Sequence, residues 1–564
     1  MKKIWKPIPT DLEEVKTLQK ELKIHPIFCQ LLVQRNIKTY DDARRFFRPN
    51  LAYLHDPFLM KDMSMALERI ETAILNKEKV LLYGDYDVDG TTSVALMYNF
   101  FVKYLHDIDY YIPDRYKEGY GISFAGIDYA KQNGISLIIA IDCGITATNQ
   151  VKTAKNLGID FIICDHHLPK EKLPNAVAVL DPKRADCEYP FKELSGCGIA
   201  FKLVQAFIEK NELPTKKLWE SLDLVAISIA CDIVPMIDEN RILAHYGLQQ
   251  LNTTNKVGLQ ALIHESGRKT PLSINDLVFG LGPLINAAGR LADAHTAVHL
   301  MLSENKYVAY DNARTLKRRN EKRKELDLLI GEEAKILFKQ DPNWENQKSI
   351  VLFQPHWHKG VIGIAASRVA EHFNRPAIIL TESNGLVVGS ARSIRGFNIH
   401  HAIQECADLL ENFGGHTHAA GLSLELENLD AFTQRFEMIA ANNLSVSQLI
   451  SEVGISGILD LKEITPAFWN ILKQFAPFGP GNRSPIFATK NVEDIGYSKL
   501  IHGDHLKLAI KQKNSENYYG IAFKRGNEFE KVKAKKPFHI CYKIEENNWR
   551  EKSYMQLLIK DLKF

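Results

Sequence analysis

The sequence predicts an α/β protein in which a parallel-sheet domain is joined by a long helix to a second α/β domain, followed by a small β-rich domain. Three observations support this fold class. Short apolar runs alternate with helical stretches between residues 80 and 164, as in a parallel sheet buried on both faces. Residues 309–339 are highly charged and contain one glycine and no proline, as in one continuous helix. From about residue 451 apolar and polar residues alternate, as in half-buried antiparallel strands.

The elements follow in chain order. The first 75 residues carry no catalytic signature and are predicted to form a helical lead-in. Strands are predicted where short apolar runs occur, at 80–83, 136–141, 159–164, 349–353, 377–380 and 386–390. Helices are predicted after the first two of these strands, at 93–104 and 147–157. The apolar run at 222–230 suits either a buried helix or a strand, and Asp223 near its start favours a helix. Late strands are predicted at 505–510, 518–523 and 538–544.

Length and composition exclude several classes of protein. The chain has 564 residues, of which 45% are hydrophobic and 25% charged, which is typical of globular proteins with several domains. Lys plus Arg number 71 and Asp plus Glu number 68, so the net charge does not indicate a polyanionic partner. The apolar runs are much shorter than the roughly 20 residues of a membrane helix. No membrane span and no export signal are therefore expected.

The cysteines predict the cellular compartment. There are eight of them, and no pair has the C-x-x-C spacing of a zinc ribbon or a redox motif. This pattern favours a reduced, cytoplasmic location. Three cysteines stand beside acidic residues discussed below, and we interpret them as small buried packing residues: Cys143, Cys164 and Cys231.

A basic cluster lies within the long charged stretch. Between residues 314 and 324 one acidic residue, Glu321, accompanies seven basic ones: Arg314, Lys317, Arg318, Arg319, Lys322, Arg323 and Lys324. One interpretation is a solvated helix face. The other is a wall along a phosphate backbone.

The sequence GDYDVDG at residues 84–90 places Asp85, Asp87 and Asp89 in a turn directly after a buried strand. Without a cation these carboxylates would repel each other. The structural alternative is a hydrated turn or a calcium loop of EF-hand type, but such a loop is flanked by helices and ends in a bidentate glutamate. The motif therefore favours a functional cation site.

Further candidate ligands follow the next strands. Asp142 comes after the second strand, Asp165-His166-His167 after the third, and Asp232 after the apolar run at 225–230. The carboxyl ends of parallel strands form the edge where ligands bind. Carboxylates with one or two imidazoles suit Mg²⁺ or Mn²⁺, and histidine favours Mn²⁺. Two such ions, about 3.5–4 Å apart, form the arrangement that cleaves phosphate esters.

These motifs, in this order, resemble those of a known superfamily. Four stretches resemble the motifs of the DHH phosphoesterase superfamily: GDYDVDG at 84–90, IDCG at 141–144, DHH at 165–167 and ACDIVP at 230–235. Four further stretches resemble motifs of the RecJ family of single-strand-specific exonucleases: LGPLINAAGR at 281–290, HWHKGVIG at 356–363, GSAR at 389–392 and GGHTHAAG at 414–421. The last two motifs belong to the associated DHHA1 domain, and an OB-like domain is expected where the late strands lie.

The resemblance implies both an activity and a domain order. It implies a 5′-to-3′ exonuclease that degrades single-stranded DNA to 5′-mononucleotides with two divalent ions, Mn²⁺ or Mg²⁺, in recombination and repair. Single-stranded DNA, a single-strand-binding protein and a RecQ-type helicase are the expected partners. The expected domains are a helical lead-in, a DHH catalytic domain, a connecting helix, a DHHA1 domain and an OB-like nucleic-acid-binding domain, at residues 1–75, 76–305, 306–340, 341–448 and 449–564.

The resemblance also assigns roles to individual residues. The implied metal ligands are Asp87, Asp89, Asp142, His166 and Asp232, and the implied catalytic residues beside them are Asp85 and His167. The implied substrate-binding residues, which contact phosphate, are Arg115, Arg290, Ser390, Arg392 and His416. One departure is Leu284, where the family usually has arginine. We expect this substitution to affect DNA affinity more than chemistry.

Two other functions remain as alternatives. A DHH-family phosphodiesterase for short oligonucleotides or cyclic dinucleotides would share the metal site, although such enzymes are shorter and lack the long helix and the OB-like domain. A non-catalytic single-stranded-DNA-binding scaffold could be built on the same fold. Such a scaffold would be expected to have lost its acidic ligands, which are all present here.

Overall fold

The computed structural model of the protein describes residues 3–291, 294–549 and 552–564. The chain forms two compact units. The first contains the chain up to Leu54, Pro235–His245 and Glu452–Phe564, and the second contains His55–Val234 and Tyr246–Ser451. The predicted mixed α/β fold with a β-rich C-terminal segment is confirmed. The finer domain boundaries remain predictions.

The N-terminal segment contains a strand in addition to the predicted helices. Its elements are β1 (Ile4–Pro7), α1 (Leu12–Leu22), α2 (Pro26–Val33) and α3 (Tyr40–Phe47). β1 pairs in parallel with residues 452–455, far away in the sequence. The sequence does not predict this strand, because only its distant partner makes these residues extended.

The predicted parallel sheet is present. Its segment contains α4 (Met63–Leu75), β2 (Lys79–Gly84), α5 (Val88–Phe101), β3 (Asp107–Tyr111), α6 (Phe124–Gln132), β4 (Leu137–Ile141), α7 (Thr148–Asn156), β5 (Asp160–Cys164) and β6 (Ala178–Leu180). The strand order is β3-β2-β4-β5-β6, and every pairing is parallel. The central strand β4 is buried at every position, as its apolar run predicts.

One helix of this segment begins earlier than the sequence indicated. Helix α5 starts at Val88, inside the GDYDVDG motif, rather than near residue 93. The Asp87 side chain accepts a hydrogen bond from the Gly90 backbone N–H at 3.1 Å and so caps the helix. The acidic motif is therefore half loop and half helix.

A helical stretch follows. It contains α8 (Gly196–Lys210), α9 (Lys216–Glu220), α10 (Leu222–Cys231), α11 (Asp238–Asn252), α12 (Val257–Ser266), α13 (Ile274–Asp276), a π-helical turn (Leu277–Leu281), α14 (Gly282–Leu291), α15 (His295–Leu302) and α16 (Lys306–Gln340). The ambiguous run at 222–230 is the helix α10, as preferred. The long charged stretch is one continuous helix, α16.

The second α/β segment has a mixed sheet. Its elements are β7 (Ile350–Phe353), α17 (Ile362–Phe373), β8 (Ala377–Ser383), β9 (Leu386–Arg392), α18 (Ile399–Gln404), β10 (Asn412–His416), β11 (Ala419–Leu424) and α19 (Leu429–Asn443). The strand order is β10-β11-β9-β8-β7, in which only the β7–β8 pairing is parallel among the described residues.

The C-terminal segment closes into a barrel. It contains β12 (Glu452–Ile455), β13 (Gly457–Ile458), α20 (Pro466–Lys473), β14 (Phe487–Asp494), β15 (Lys499–Ile501), β16 (His505–Lys511), β17 (Tyr518–Ala522), α21 (Phe529–Lys533), β18 (Phe538–Trp549) and β19 (Lys552–Lys563). The pairings run β14-β18-β19-β17-β16 and return to β14, which is the closure of an OB-type barrel. Across the described residues, the structure contains no helix with the length and apolar character of a membrane span.

Candidate active site

The carboxyl ends of neighbouring parallel strands bring the predicted acidic and histidine residues together. Three groups have ligand atoms within 4.8 Å of one another, and together they contain Asp85, Asp87, Asp89, Asp142, His166, His167 and Asp232. These residues follow β2, β4, β5 and α10 in the chain. Parallel strands end at a common edge of the sheet, which explains why residues between Asp85 and His167 meet there. The C-terminal end of α10 adds Asp232.

Asp89 is held by the beginning of helix α8. The backbone N–H groups of Gly196 and Cys197 donate to its two carboxylate oxygens at 2.6 and 2.8 Å. The Ser228 hydroxyl donates to it at 2.7 Å. Unpaired N–H groups at a helix N-terminus are natural partners for a carboxylate. The Asp89 side chain is consequently fixed in position before any ion binds.

Asp142 has a backbone conformation that is uncommon outside glycine. Its φ angle is +62°, in the left-handed region that aspartate tolerates better than most residues. Its N–H donates to the Cys164 carbonyl oxygen at 2.9 Å, which continues the β4–β5 pairing by one residue. Such conformations cluster at functional sites, where the surrounding structure enforces them.

His166 lies among three carboxylates. Its Nε2 atom is 3.1 Å from Asp142 Oδ1, 3.7 Å from Asp232 Oδ2 and 3.8 Å from Asp89 Oδ2. Several buried polar atoms have no hydrogen-bond partner in the described part of the chain: Asp85 Oδ1, Asp142 Oδ1, His166 Nδ1 and His166 Nε2. Buried polar atoms are normally satisfied. Unpaired carboxylate oxygens around the unpaired Nε2 atom of one imidazole fit a divalent cation.

The protonation of this cluster agrees with that fit. Burial, followed by the negative charges of Asp89 and Asp87, raises the pKa of Asp142 well above its usual value. Burial and neighbouring carboxylates likewise raise the pKa values of three further residues, Asp85, Asp87 and Asp232. Burial lowers the pKa of His166, which favours the neutral imidazole that coordinates metals. A cation in the cluster would reverse the carboxyl shifts.

His167 is oriented by Asp165, to which the sequence motifs assign no role. Asp165 accepts a hydrogen bond from His167 Nδ1 at 2.7 Å and another from the Ile145 N–H at 2.8 Å. Burial alone would raise the pKa of Asp165, but the His167 hydrogen bond and charge hold it at about 2. The hydroxyl of Tyr120 lies 3.2 Å from His167 Nε2. No signal in the sequence pointed to Tyr120, because it lies in the loop after β3.

Gly196 leaves the space that Asp142 occupies. A Cβ atom at position 196 would lie 2.7 Å from Asp142 Cβ and 2.9 Å from Asp142 Oδ1. Gly196→Ala is therefore expected to displace the Asp142 carboxylate and to reduce divalent-ion-dependent activity by about tenfold or more. Enzyme assays and the thermal shift caused by added Mn²⁺ measure the effect.

A matched control lies two residues further along helix α8. The nearest atom to a Cβ at Gly198 would be Leu194 Cδ2, at 3.3 Å. Gly198→Ala is expected to retain activity within about threefold, because a flexible side chain can yield. Equal losses in the two variants would contradict the importance of the Asp142 position.

The predicted phosphate-binding residues of the second α/β segment lie on β9. Arg392 donates to Ser390 Oγ at 3.0 Å through Nη1 and to Ser367 Oγ at 3.1 Å through Nε. Gly363 in α17 leaves space beside these two side chains, since a Cβ atom at position 363 would be 2.9 Å from Ser390 Oγ and 3.1 Å from Arg392 Nη2. Among residues 3–291, 294–549 and 552–564 no carboxylate pairs with Arg392, and a guanidinium that contacts only hydroxyl and carbonyl oxygens suits an anion.

Further guanidinium groups lie near Arg392. Burial, followed by the positive charges of Arg115, Arg323 and Arg392, lowers the pKa of Arg290 to about 10. The Arg115 guanidinium lies over the Tyr86 ring at 4.8 Å from its centroid. Arg323 belongs to the basic cluster of α16. Asp85 and Asp327 carry negative charge near Arg115 and Arg323. Several buried guanidinium groups in one place still repel one another, and an anion would stabilise them.

His416, the last predicted phosphate-binding residue, lies on the sheet surface, whereas Leu284 is buried. His416 is on the exposed strand β10, and Ala419 of β11 pairs with both His416 and Arg392. These residues therefore form one row across the sheet, with His416 two strands from Arg392. Leu284, at the position of the expected family arginine, is 3% exposed and packs in the core.

In the basic cluster of α16, two residues contact a neighbouring helix and a third lies near Arg290. Lys317 and Arg314 lie 3.2 and 3.7 Å from the Glu265 carboxylate, so they stabilise the contact of α16 with α12. Arg323 donates to Asn320 at 3.0 Å and also lies near Arg290. The helix therefore uses Arg314 and Lys317 to stabilise packing, and the interpretation of the cluster as a wall along a phosphate backbone stays a prediction.

Some aromatic residues of the C-terminal barrel pack in its core, and others are exposed. The Tyr518 hydroxyl donates to the Ile464 carbonyl at 2.9 Å, and its ring packs against the core. Arg525 is paired with Glu528 and Asp561. Tyr519 and Phe523 are 50% and 55% exposed. Exposed aromatic residues on an OB-type barrel are suited to base stacking.

The fold and the acidic group together define the class of protein. Family profiles match the DHH family N-terminal domain at residues 79–229, the DHHA1 domain at 346–442 and the RecJ OB domain at 455–561. The chain is therefore a DHH-family protein with DHHA1 and OB domains.

Individual relatives identify the family more closely. The single-stranded-DNA-specific exonuclease RecJ of Bacillus subtilis is 38% identical over 565 residues, which cover 99% of this chain and 70% of that protein. The crystal structure of Thermus thermophilus RecJ in complex with Mn²⁺ matches all of this chain and 79% of its own chain, with a TM-score of 0.84 at 26% identity. The structure of the same protein with Mg²⁺ matches all of this chain and 78% of its own, with a TM-score of 0.79 at 25% identity. The chain belongs to the RecJ family of single-stranded-DNA-specific exonucleases, as the sequence motifs indicated.

Proposed function

We propose that this protein is a 5′-to-3′ exonuclease that degrades single-stranded DNA to 5′-mononucleotides with two divalent ions, Mn²⁺ or Mg²⁺, in DNA recombination and repair. One observation carries the proposal. Arg115 lies on the Tyr86 ring, and Tyr86 stands between Asp85 and Asp87 of the acidic group. An anion site adjoining a metal site can hold the terminal phosphate while the next phosphodiester reaches the ions.

The acidic group supplies the metal ligands in this proposal. They are Asp87, Asp89, Asp142, His166 and Asp232, and Asp85 acts beside them as a catalytic residue. When bound, two divalent ions supply a nucleophilic water at neutral pH and stabilise the charge that develops on the phosphate oxygens. The hydrogen bonds to Asp89 from α8 and Ser228 keep its carboxylate in place throughout the reaction.

His167 contacts the scissile phosphate in this proposal. Because its Nδ1–H donates to Asp165, its Nε2 atom is left for a phosphate oxygen. The Tyr120 hydroxyl lies beside the ring, 3.1 Å from Nδ1 and 3.2 Å from Nε2. Burial would lower the pKa of His167, but the Asp165 hydrogen bond and charge raise it. A protonated Nε2 can donate a hydrogen bond to a phosphate oxygen.

The guanidinium cluster holds the 5′-terminal phosphate. Arg115, Arg290 and Arg392 neutralise its oxygens, and Ser390 donates a hydroxyl hydrogen bond. His416, in the same row of the sheet as Arg392, contacts the strand nearby. Anchoring the terminus one nucleotide from the ions favours release of single nucleotides.

The other segments select and hold the strand. We propose that the OB-type domain at 449–564 binds single-stranded DNA through exposed aromatic residues such as Tyr519 and Phe523, and that the DHH and DHHA1 domains at 76–305 and 341–448 form a cleft too narrow for a duplex. The lead-in at 1–75 and the helix at 306–340 complete the proposed domain order. A single-strand-binding protein and a RecQ-type helicase in the cytoplasm would supply the substrate.

Labelled DNA tests the proposal directly. Single-stranded and duplex DNA, labelled at the 5′ or 3′ end, is incubated with the protein with and without Mn²⁺. We expect immediate release of a labelled mononucleotide from 5′-labelled single strands, and only with the ion. Cleavage restricted to short oligonucleotides or cyclic dinucleotides would support the phosphodiesterase alternative. Binding without cleavage would support the scaffold alternative.

A further inference from the structure

The loop between β3 and α6 contacts both the acidic group and the guanidinium cluster. Glu118 shapes this loop: its carboxylate accepts hydrogen bonds from the Asp114 N–H at 2.7 Å, the Tyr111 hydroxyl at 2.9 Å and the Ser123 hydroxyl at 2.5 Å. The loop carries Arg115 and Tyr120, which were described above. Between them lies Tyr116, which the proposed mechanism does not use.

The Tyr116 hydroxyl lies where three segments meet. It donates a hydrogen bond to the carbonyl oxygen of Arg290, at the end of α14. Gly360, before α17, leaves room for this contact, since a Cβ atom there would clash with the Tyr116 hydroxyl and lie 2.5 Å from the Arg290 carbonyl oxygen. Arg290 Nη1 donates to the Gly360 carbonyl oxygen at 3.3 Å. The Tyr116 ring stands edge-on to His358, with centroids 6.3 Å apart.

This junction joins the segments that carry the guanidinium groups. Arg115 precedes Tyr116 in the chain, and Arg290 supplies the accepting carbonyl. The positive charges of Arg115 and Arg290 repel each other, and burial strengthens the repulsion because less water screens it. A neutral hydrogen bond between the two segments opposes that repulsion while no phosphate is present.

We infer that Tyr116 is a positioning residue whose hydroxyl holds the Arg115 loop against the Arg290 carbonyl, so that both guanidinium groups reach one 5′-terminal phosphate. The inference rests on the proposed function, because it takes that phosphate as the anion. It adds that recognition of the phosphate depends on a residue that does not touch the substrate. A tyrosine rather than a phenylalanine is required at this position for that role.

The test is Tyr116→Phe in the full-length protein, with Mn²⁺ and with single-stranded oligonucleotides that carry either a 5′-phosphate or a 5′-hydroxyl. Loss of one hydrogen bond is expected to raise KM for the phosphorylated end by about three- to tenfold. We expect kcat to change by less than about twofold and KM for the hydroxyl end to remain the same. The preference for phosphorylated ends should shrink accordingly.

Tyr129→Phe is the matched control, since the Tyr129 hydroxyl donates to Asp109 at 2.6 Å at a different place in the same domain. It should leave the preference unchanged. An unchanged KM ratio in Tyr116→Phe, or an equal loss on both kinds of end, would overturn the inference. If the wild-type protein digests neither end, the proposed function itself fails. If the wild-type protein digests both ends equally, the anion site has a different ligand and the inference fails with it.

Discussion

Asp142→Ala is expected to abolish exonuclease activity, with a loss of about three orders of magnitude or more, while single-stranded DNA binding falls by less than about tenfold. Asp142 belongs to two of the three candidate ligand groups found among the described residues, one with the histidines and one with Asp85 and Asp87. In the proposed mechanism it would therefore contribute to both ion sites. The guanidinium groups proposed to hold phosphate do not include it. Release of labelled nucleotide and fluorescence anisotropy measure the two quantities.

Two further variants separate chemistry from folding. Asp142→Asn keeps a residue that tolerates the left-handed backbone conformation at φ +62°, so its loss of activity reports the missing charge. Asp107→Asn removes a carboxylate of the same sheet that is paired with Lys79 at the surface, and it should remain active. Equal losses of cleavage and DNA binding in a folded Asp142 variant would count against the metal assignment.

Removal of divalent ions is expected to eliminate cleavage and to lower the melting temperature by a few degrees. The acidic group destabilises itself when no cation is present, as the raised carboxyl pKa values indicate. An ion that binds only the folded state stabilises it by about 2.7 kcal/mol at a hundredfold excess over Kd. The protein is treated with a chelator, dialysed, and assayed by activity and thermal melting before and after addition of Mn²⁺ or Mg²⁺.

The Asp142→Asn variant provides the control for this experiment. It should show little or no increase in melting temperature when Mn²⁺ is added, because a shared ligand charge is lost. Full activity after complete chelation would refute the metal-dependent mechanism. So would a stabilising effect of Mn²⁺ that is as large in the variant as in the wild type.

The sequence was most informative where chemistry is local. The apolar runs of β2, β4 and β5 predicted buried parallel strands, and Asp85, Asp142 and the histidines follow these strands directly. The start of α5 was misplaced, because the capping contact of Asp87 lies inside a motif that resembles a turn. The strand β1 was missed because its conformation depends on a partner about 450 residues away.

The amino-acid order by itself determined the fold class, the family motifs and the residues able to bind cations. Short-range patterns suffice there, because strand burial and motif chemistry are written in neighbouring residues. Only the tertiary structure decided which groups act on these residues: Asp165 orienting His167, the α8 N-terminus holding Asp89, and Tyr116 contacting Arg290. The second and third contacts join distant segments through a backbone N–H or carbonyl group, which almost every residue possesses and which therefore leaves no mark in the sequence. The first lies within one motif, but the sequence does not show which way its side chains turn.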